Sequence, residues 1–342
     1  MQCTNSTILL SVSIIIVNYR STKFICDCLE SAFQFPSAKN FEWIIADNDS
    51  KDDSKEIITS QFPFVKWINM GYNAGFARAN NEGIRQSTNE VVLLLNPDTI
   101  ILDDAIEKCY QKFMQGNHAA CGVQMLNPDR SPQISGSYFA KGGLNHLLPL
   151  PYWGSFIKWL GSILKVQKPS IEKATTEEFV DWISGAFMMV KKNAIAKAGL
   201  MDEDFFLYAE EVEWCSRLKK IGTLCIYGDI HIIHILGEII QDAAKSDKSY
   251  FNLYDKKGLQ LIVSNHLRIR KQYGVGWFLF QLLNYTFAIP VFFICSFFDQ
   301  LFRLKNPFAD WRRIKALAKN VWKVLKLSPK IIRNKPYFYK MI

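Results

Sequence analysis

The chain has 342 residues, 49% of them hydrophobic, enough for one large domain or a domain with appendages. Its net charge of +9 would suit a nucleic-acid binder, but from Asp299 onward twelve Lys or Arg face only two Asp. The tail therefore carries the whole excess, the body is close to neutral, and nucleic acid is not the expected partner. The eight cysteines, at positions 3, 26, 28, 109, 121, 215, 225 and 295, form no CxxC pair and no Cys/His set with zinc spacing. They read as reduced thiols of a cytosolic protein.

No basic region followed by a cleavable apolar stretch opens the chain. Ile8–Val17 is short and runs into a strand pattern, so no signal peptide is expected. From there strands and helices alternate. Val12–Val17 reads as a strand and Lys23–Phe33 as a helix; Trp43–Ala46 is a strand and Asp52–Gln61 a helix. A short strand at Val65–Asn69, a helix at Ala74–Ser87, a strand at Val91–Leu95, a helix at Asp103–Gln115 and a strand at Ala120–Met125 follow. Helices of this length between strands imply right-handed crossovers and an α/β fold with a mostly parallel sheet. The stretch 127–178, rich in Pro, Gly, Ser and aromatics, predicts a long excursion over the active face. Regular structure is expected again at Phe179–Val190, with helices at Lys191–Ala198 and Ala209–Ile221.

Two further segments close the chain. Gly276–Phe298 is almost wholly apolar and near the ~20 residues that cross a bilayer. Beyond it Arg312, Arg313, Lys315, Lys319, Lys323 and Lys326 interleave with Ile314, Leu317, Val321, Trp322 and Leu325. That amphipathic basic helix suits an anionic membrane surface. A cytosolic body and a basic tail prefer the same side, which favours an interfacial or re-entrant segment over a span.

Three acidic clusters carry the chemistry: Asp47-Asn48-Asp49, Asn96-Pro97-Asp98 and Glu210-Glu211-Val212-Glu213. The first two follow buried strands, where open α/β sheets bind ligands. Asp47, with Asn18 and Tyr19 after the first strand, suits a base N–H and ring. Gly71–Asn81 combines glycines, Gly75, Arg78, Asn73 as candidate cap of the following helix, and that helix's N-terminus, which suits phosphate. Asp98 with Asn96 suits a hard Mg2+ or Mn2+ that keeps phosphate oxygens as further ligands. Glu210 and Glu211 follow the aromatic run Phe205–Tyr208; a carboxylate beside apolar walls has raised proton affinity and serves as a general base. Glu213 pairs by spacing with Arg217. His234, just before Leu236-Gly237, is a further candidate for a metal or diphosphate. Each feature alone also reads as a turn, a cap or a structural histidine.

Taken in order, Ser13–Tyr19, Ile45–Ser50 with Asp52 and Ser54, Asn73–Phe76 with Asn80-Asn81, Leu95–Asp98, Ser184–Met188, Gly199–Phe206 and Glu210–Glu213 with Arg217 resemble the inverting family-two glycosyltransferases of GT-A fold, most of all bacterial rhamnosyltransferases. The resemblance covers residues 11 to 235. It implies a GT-A catalytic domain over 1–265, and the apolar and basic pattern beyond makes 266–342 membrane-associated helices. It implies that Asn18, Tyr19, Asp47, Asn73, Gly75 and Arg78 bind the donor nucleotide, and that Asp98, Asn96 and His234 hold a divalent metal (Mg2+ or Mn2+). Glu211, or its neighbour Glu210, would be the base, and Trp182, Ser184 and Gly185 would line the acceptor pocket. The implied partners are a nucleotide-diphospho-sugar donor, dTDP-rhamnose in preference to UDP-hexose or galactofuranose, and a polyprenyl-linked glycan acceptor at the cytoplasmic face of the plasma membrane. Asn96 stands where many members have Asp, Glu211 where they have Asp, and Asp53 where Gly is usual. A nucleotidyltransferase would want basic residues in a Gly-rich loop after the first strand, where Asn18-Tyr19-Arg20-Ser21 offers little. A non-catalytic membrane assembly subunit stays open.

Overall fold

The computed structural model describes residues 12–166, 170–235 and 252–342. The residues before Val12 in the Ile8–Val17 stretch, and Leu236-Gly237, lie outside the described residues. The chain divides into two compact units, one of Met1–Ser137, Ser170–Met201 and Trp214–Glu238, the other of Tyr138–Pro169, Asp202–Glu213 and Ile239–Ile342.

The first unit holds eleven described strands: β1 (Val12–Asn18), β2 (Glu42–Asp47), β3 (Lys66–Asn69), β4 (Val91–Leu95), β5 (Thr99–Ile101), β6 (His118–Leu126), β7 (Gly136–Ser137), β8 (Glu177–Val180), β9 (Trp182–Ile183), β10 (Phe187–Lys191) and β11 (Thr223–His234). Its helices are α1 (Thr22–Phe33), α2 (Ser54–Gln61), α3 (Gly75–Gln86), α4 (Ala105–Gln115) and, later in the chain, α6 (Lys192–Ala198). The main sheet runs β3-β2-β1-β4-β10-β6-β11-β5, with β8 on β11, and β7 pairs β9 apart from it. β3, β2, β1 and β4 are mutually parallel, as are β6 and β11, while β10 inserts antiparallel between β4 and β6.

Burial on both faces explains the unbroken apolar strands. Ile14, Ile15 and Ile16 are each wholly buried, as are Leu93 and Leu94; each such side chain contributes about 1.5–3 kcal/mol of apolar burial. One face packs on α1 and α4 through Ile25, Leu29, Ile106 and Phe113, the other on α3 and residues near Trp214 and Leu218. Two expectations need correction. Phe179–Val190 is not one regular stretch but parts of three strands, broken at Asp181 and the 184–186 turn. Asn73 does not cap α3, whose N-cap is Ala74; its Oδ1 instead accepts from Gly75 N at 3.2 Å. β5, only three residues long, gave no sequence signal.

The second unit is helical. The excursion contains a helix, α5 (Trp153–Ile163), which its composition did not announce. α7 (Glu210–Leu218) starts here, followed by α8 (Lys256–Tyr273), α9 (Val275–Phe302) and α10 (Trp311–Arg333). Phe205, Leu259, Ile262, Phe278, Leu282, Tyr285, Leu317 and Val321 share one core. α8 is stapled to the Asp202–Phe206 run: Lys271 Nζ lies 2.5 Å from Asp202 Oδ2 and 2.7 Å from Asp204 Oδ2. Asp204 also accepts from Tyr337 N (2.8 Å) and Tyr339 N (2.9 Å), which ties down the C-terminal segment.

Candidate active site

Strand register builds the first half of the site. Asn18 and Asp47 end the parallel strands β1 and β2 and are register partners. Asn18 Nδ2 donates to Asp47 Oδ1 at 2.8 Å and to Ser50 Oγ at 3.1 Å, while the Ser50 hydroxyl donates to Asp47 Oδ1 at 2.6 Å. Ser50 N adds a 3.3 Å bond to Asp47 Oδ2. All three residues are buried. Asn48 crosses to the next element, accepting from Ala74 N and donating to Gly75 O at the start of α3. Asp47 is thus fixed by protein donors on Oδ1, with Oδ2 less committed. Around it Tyr19 is 46% exposed, as is Tyr72. Arg20 lies over the Tyr19 ring, and Arg78 donates to the Tyr72 hydroxyl at 3.2 Å. The positive φ of Asp49 (59°) and Lys51 (55°) turns this loop back over the strand end. Asn80 and Asn81 of the same motif are structural: Asn80 Nδ2 donates to Phe76 O, and Asn81 exchanges two hydrogen bonds with the Met201 backbone, at 2.9 and 3.0 Å.

The second half lies at the ends of β4 and β11. Asn96-Pro97-Asp98 follows β4, and β5 then pairs antiparallel with β11, setting Thr99 opposite His234. His234 Nε2 lies 3.2 Å from Asp98 Oδ2 and 3.4 Å from Asn96 Nδ2. Asp98 is 2% exposed. Gln133 sets the imidazole: its Nε2 donates to Asn127 Oδ1 and His234 O, which leaves Oε1 facing His234 Nδ1 at 3.0 Å. His234 Nδ1 thus faces the Gln133 oxygen and Nε2 faces the carboxylate, an arrangement that a cation between them satisfies. Carboxylate oxygen, imidazole nitrogen and, with the amide turned, the Asn96 oxygen make a donor set that Mn2+ or Mg2+ accepts. These three sequence candidates are together. Gln133 and Asn127 were missed, because they sit in a stretch without periodicity and only the fold brings them to His234.

Trp182 ends the small β7–β9 ladder opposite Ser137, and Ser184 Oγ accepts from Ala186 N in the turn that includes Gly185. Arg217 spends a guanidinium N–H on Ala198 O at 2.6 Å.

In the second unit, Glu210 and Glu211 open α7, a favourable place for negative charge. Tyr208 and Ala209 precede them at φ of 72° and 67°, backbone that non-glycine residues adopt at a cost. Burial raises the proton affinity of Glu210 far above the usual carboxylate range, and the neighbouring Glu211 charge adds to it. Glu210 Oε2 is buried without a hydrogen-bond partner. Burial also raises Glu211, but Arg268 on α8 pulls it the other way. Arg268 is itself buried, bonded to His146 Nε2 at 2.6 Å and to Gln272 Oε1 at 2.5 Å. The pair is thus split, with the proton on Glu210 and Glu211 the more easily ionised. No local pattern in the sequence marked Arg268 or His146.

Residues 13–163 match the family model described as glycosyl transferase family 2. The chain is 29% identical over 238 residues, 66% of its length, to the low-salt glycan biosynthesis hexosyltransferase Agl10 of Haloferax volcanii, covering 68% of that protein. It is 26% identical over 199 residues, 54% of its length, to the N-acetylglucosaminyl-diphospho-decaprenol L-rhamnosyltransferase of Mycobacterium tuberculosis, covering 62% of it. Among solved structures it is similar to a mannosyltransferase of Pyrobaculum calidifontis in complex with GDP-Man and Mn2+, at TM-score 0.53 and 13% identity, over 92% of this chain and 87% of that one. That last likeness concerns the fold, which is GT-A.

Proposed function

We propose that this glycosyltransferase, whose residues 13–163 match the glycosyl transferase family 2 domain, is an inverting enzyme that moves a sugar, rhamnose by preference, from a nucleoside diphosphate to a polyprenyl-linked glycan acceptor. The observation that carries the reading is the Asp98–His234–Asn96 cluster at the same sheet rim as the Asn18–Asp47–Ser50 network. Asp47, held by Asn18 and Ser50, presents its Oδ2 to the base, with Tyr19 and Tyr72 as exposed ring faces. Asn73, Gly75 and Arg78 stand at the N-terminal end of α3, where backbone N–H groups favour the diphosphate.

Asp98, His234 and Asn96 would hold a divalent cation, which when bound supplies Lewis acidity to the departing diphosphate. Glu211 takes the proton of the acceptor hydroxyl; the acceptor oxygen bonds to the anomeric carbon from the side opposite the diphosphate, and the sugar–phosphate C–O bond breaks with its electrons on the leaving nucleoside diphosphate. Glu210, kept protonated by burial, acts as a neutral neighbour that leaves the charge on Glu211. Trp182, Ser184 and Gly185 are the acceptor-side residues of this reading. The test is transfer and donor hydrolysis with purified protein over dTDP-rhamnose, UDP-hexoses and UDP-galactofuranose, with and without Mn2+. Loss of all donor-dependent signal would overturn the reading. Preference for a UDP-hexose would replace rhamnosyl by hexosyl transfer, the activity named for the haloarchaeal relative.

The membrane part of the reading rests on the second unit taken by itself. α9 buries one face (Phe278, Leu282, Tyr285, Ala288, Phe292) and leaves Leu283, Phe287, Ile294, Phe298 and Phe302 exposed. α5 adds Trp159, Ile163 and Leu164 to the exposed apolar residues, and its Trp153 joins α9 by a 2.9 Å bond to Asn284 and a 5.1 Å edge contact with Phe287. α9 is long and apolar enough to cross a membrane. With one face committed to the protein core and α10 exposing Arg312, Lys315, Lys319, Lys323 and Trp322, the interfacial placement at an anionic cytoplasmic leaflet is favoured over a span.

A further inference from the structure

At the opposite rim of the same sheet the strands assemble a second set of metal-binding side chains, and it shares no residue with the site above. His118 opens β6, Cys225 lies in β11 and Glu177 opens β8. β11 is the common neighbour, parallel to β6 and antiparallel to β8, with Glu177 registered on Tyr227 and Phe179 on Cys225. Side chains alternate along a strand, so Cys225 and Tyr227 share a face, and Glu177 joins them from across the ladder. A register shift between Thr223 and Leu224 brings His118 alongside Thr223. His118 Nε2, a Glu177 carboxylate oxygen and Cys225 Sγ all lie within 4.8 Å of one another, and the His118–Glu177 contact is 3.3 Å. Bonds of ~2.0–2.3 Å at tetrahedral angles place ligand atoms about 3.3–3.8 Å apart, so small rotations close the set around one ion.

Three observations go beyond a histidine–glutamate ion pair. His118 Nδ1 is 2.7 Å from Thr223 Oγ1, the outer hydrogen bond that fixes a ligating imidazole with Nε2 inward. The ring is also packed: a Cβ on Gly116 would come within 2.6 Å of it. Beside the thiol, the Tyr227 hydroxyl is buried and makes no hydrogen bond of normal geometry. The Cys225 thiol is its neighbour, and an ion pair between His118 and Glu177 makes no use of that sulfur. Lys112, the nearby cation, lies over the Tyr227 ring and is matched by Asp229 at 2.6 Å. Glu177, whose side chain is 41% exposed, leaves the site open to a water as fourth ligand.

We propose that His118, Glu177 and Cys225 bind a single Zn2+ that clamps β6, β11 and β8 at the sheet rim remote from the sugar-nucleotide site. Nitrogen, sulfur and carboxylate oxygen together suit this borderline-soft ion, whereas the all-oxygen preference of Mg2+ does not. On binding, the Cys225 thiol gives its proton to solvent and the thiolate sulfur becomes the ligand.

The test uses full-length protein stripped with a chelator and titrated with Co2+ as the spectroscopic probe, then with Zn2+ as competitor. The expected result is a thiolate-to-cobalt charge-transfer band, tetrahedral in character, displaced by Zn2+. The band should be retained in Asp98→Asn, lost in Cys225→Ser and His118→Asn, and shifted to more than ~10-fold weaker affinity in Glu177→Gln, where the substituted side chain is partly exposed. Zn2+ should also raise the melting temperature of the wild type and not of Cys225→Ser. No band in the wild type would overturn the proposal. So would a band that survives Cys225→Ser and disappears in Cys109→Ser, which would place the metal at the Cys109–Cys121 thiol pair, 3.6 Å apart. The Asp98 reading uses no sulfur ligand, so failure of this proposal leaves it untouched.

Discussion

His234 Nε2 faces Asp98 Oδ2 across 3.2 Å while Gln133 holds the opposite nitrogen at 3.0 Å. A cation shared by the imidazole and the carboxylate satisfies that contact. Asp98→Asn removes the charge and keeps the shape. Transfer should fall on the order of 10²-fold or more, the scale of several kcal/mol of leaving-group stabilisation. Added Mn2+ should not restore it at concentrations that saturate the wild type. Gln133→Leu should raise the Mn2+ concentration needed for half-maximal activity by about 10–100-fold while leaving kcat at saturating metal closer to wild type. Metal-titrated initial rates check both.

Asp47 Oδ1 accepts from Asn18 and Ser50 inside a buried network. Asp47→Ala strands both donors and should cost about 1–3 kcal/mol of folding stability. It should also raise the donor KM more than it lowers kcat. Thermal melts and donor-saturation curves separate the two effects.

Glu210 and Glu211 have different expected phenotypes although they are adjacent. Glu211→Gln should lower kcat by about 10²–10⁴-fold with little change in donor affinity. Glu211 is raised in the folded chain, so the acid limb of the wild-type rate profile should lie above the ordinary glutamate value of 4.5. Glu210 binds its proton more tightly folded than unfolded. Its contribution to stability is therefore complete below the ordinary glutamate value and is lost as pH rises toward the raised folded one. Glu210→Gln should accordingly melt higher than the wild type at neutral and alkaline pH, with the difference vanishing in acid. Melting temperatures across pH test this sign directly.

Leu283 and Phe287 on α9 are 68% and 53% exposed, and Trp159 on α5 is 58% exposed. Each would add up to about 1.5–3 kcal/mol on insertion into an apolar boundary. Leu283→Ser with Trp159→Ser should reduce sedimentation with anionic vesicles by more than ~10-fold without moving the melting temperature. Binding of the wild type should weaken at high salt if Lys315, Lys319 and Lys323 face the headgroups. Equal binding by the double variant would remove this face from the membrane reading.

The sequence by itself determined the strand–helix alternation, the placement of Asp47 and Asp98 after β2 and β4, and the apolar and basic character of α9 and α10. These are local properties: an apolar run, a turn residue and a helical period are written in consecutive positions. Only the tertiary structure decided which distant residues meet. Gln133 reaches His234 and Arg268 lies beside Glu211 because strand register and helix packing bring them there, and neither leaves a mark on its neighbours in sequence. The same holds for His118, Glu177 and Cys225. Spacing along the chain gave no reason to join them, whereas three strands sharing β11 set them side by side.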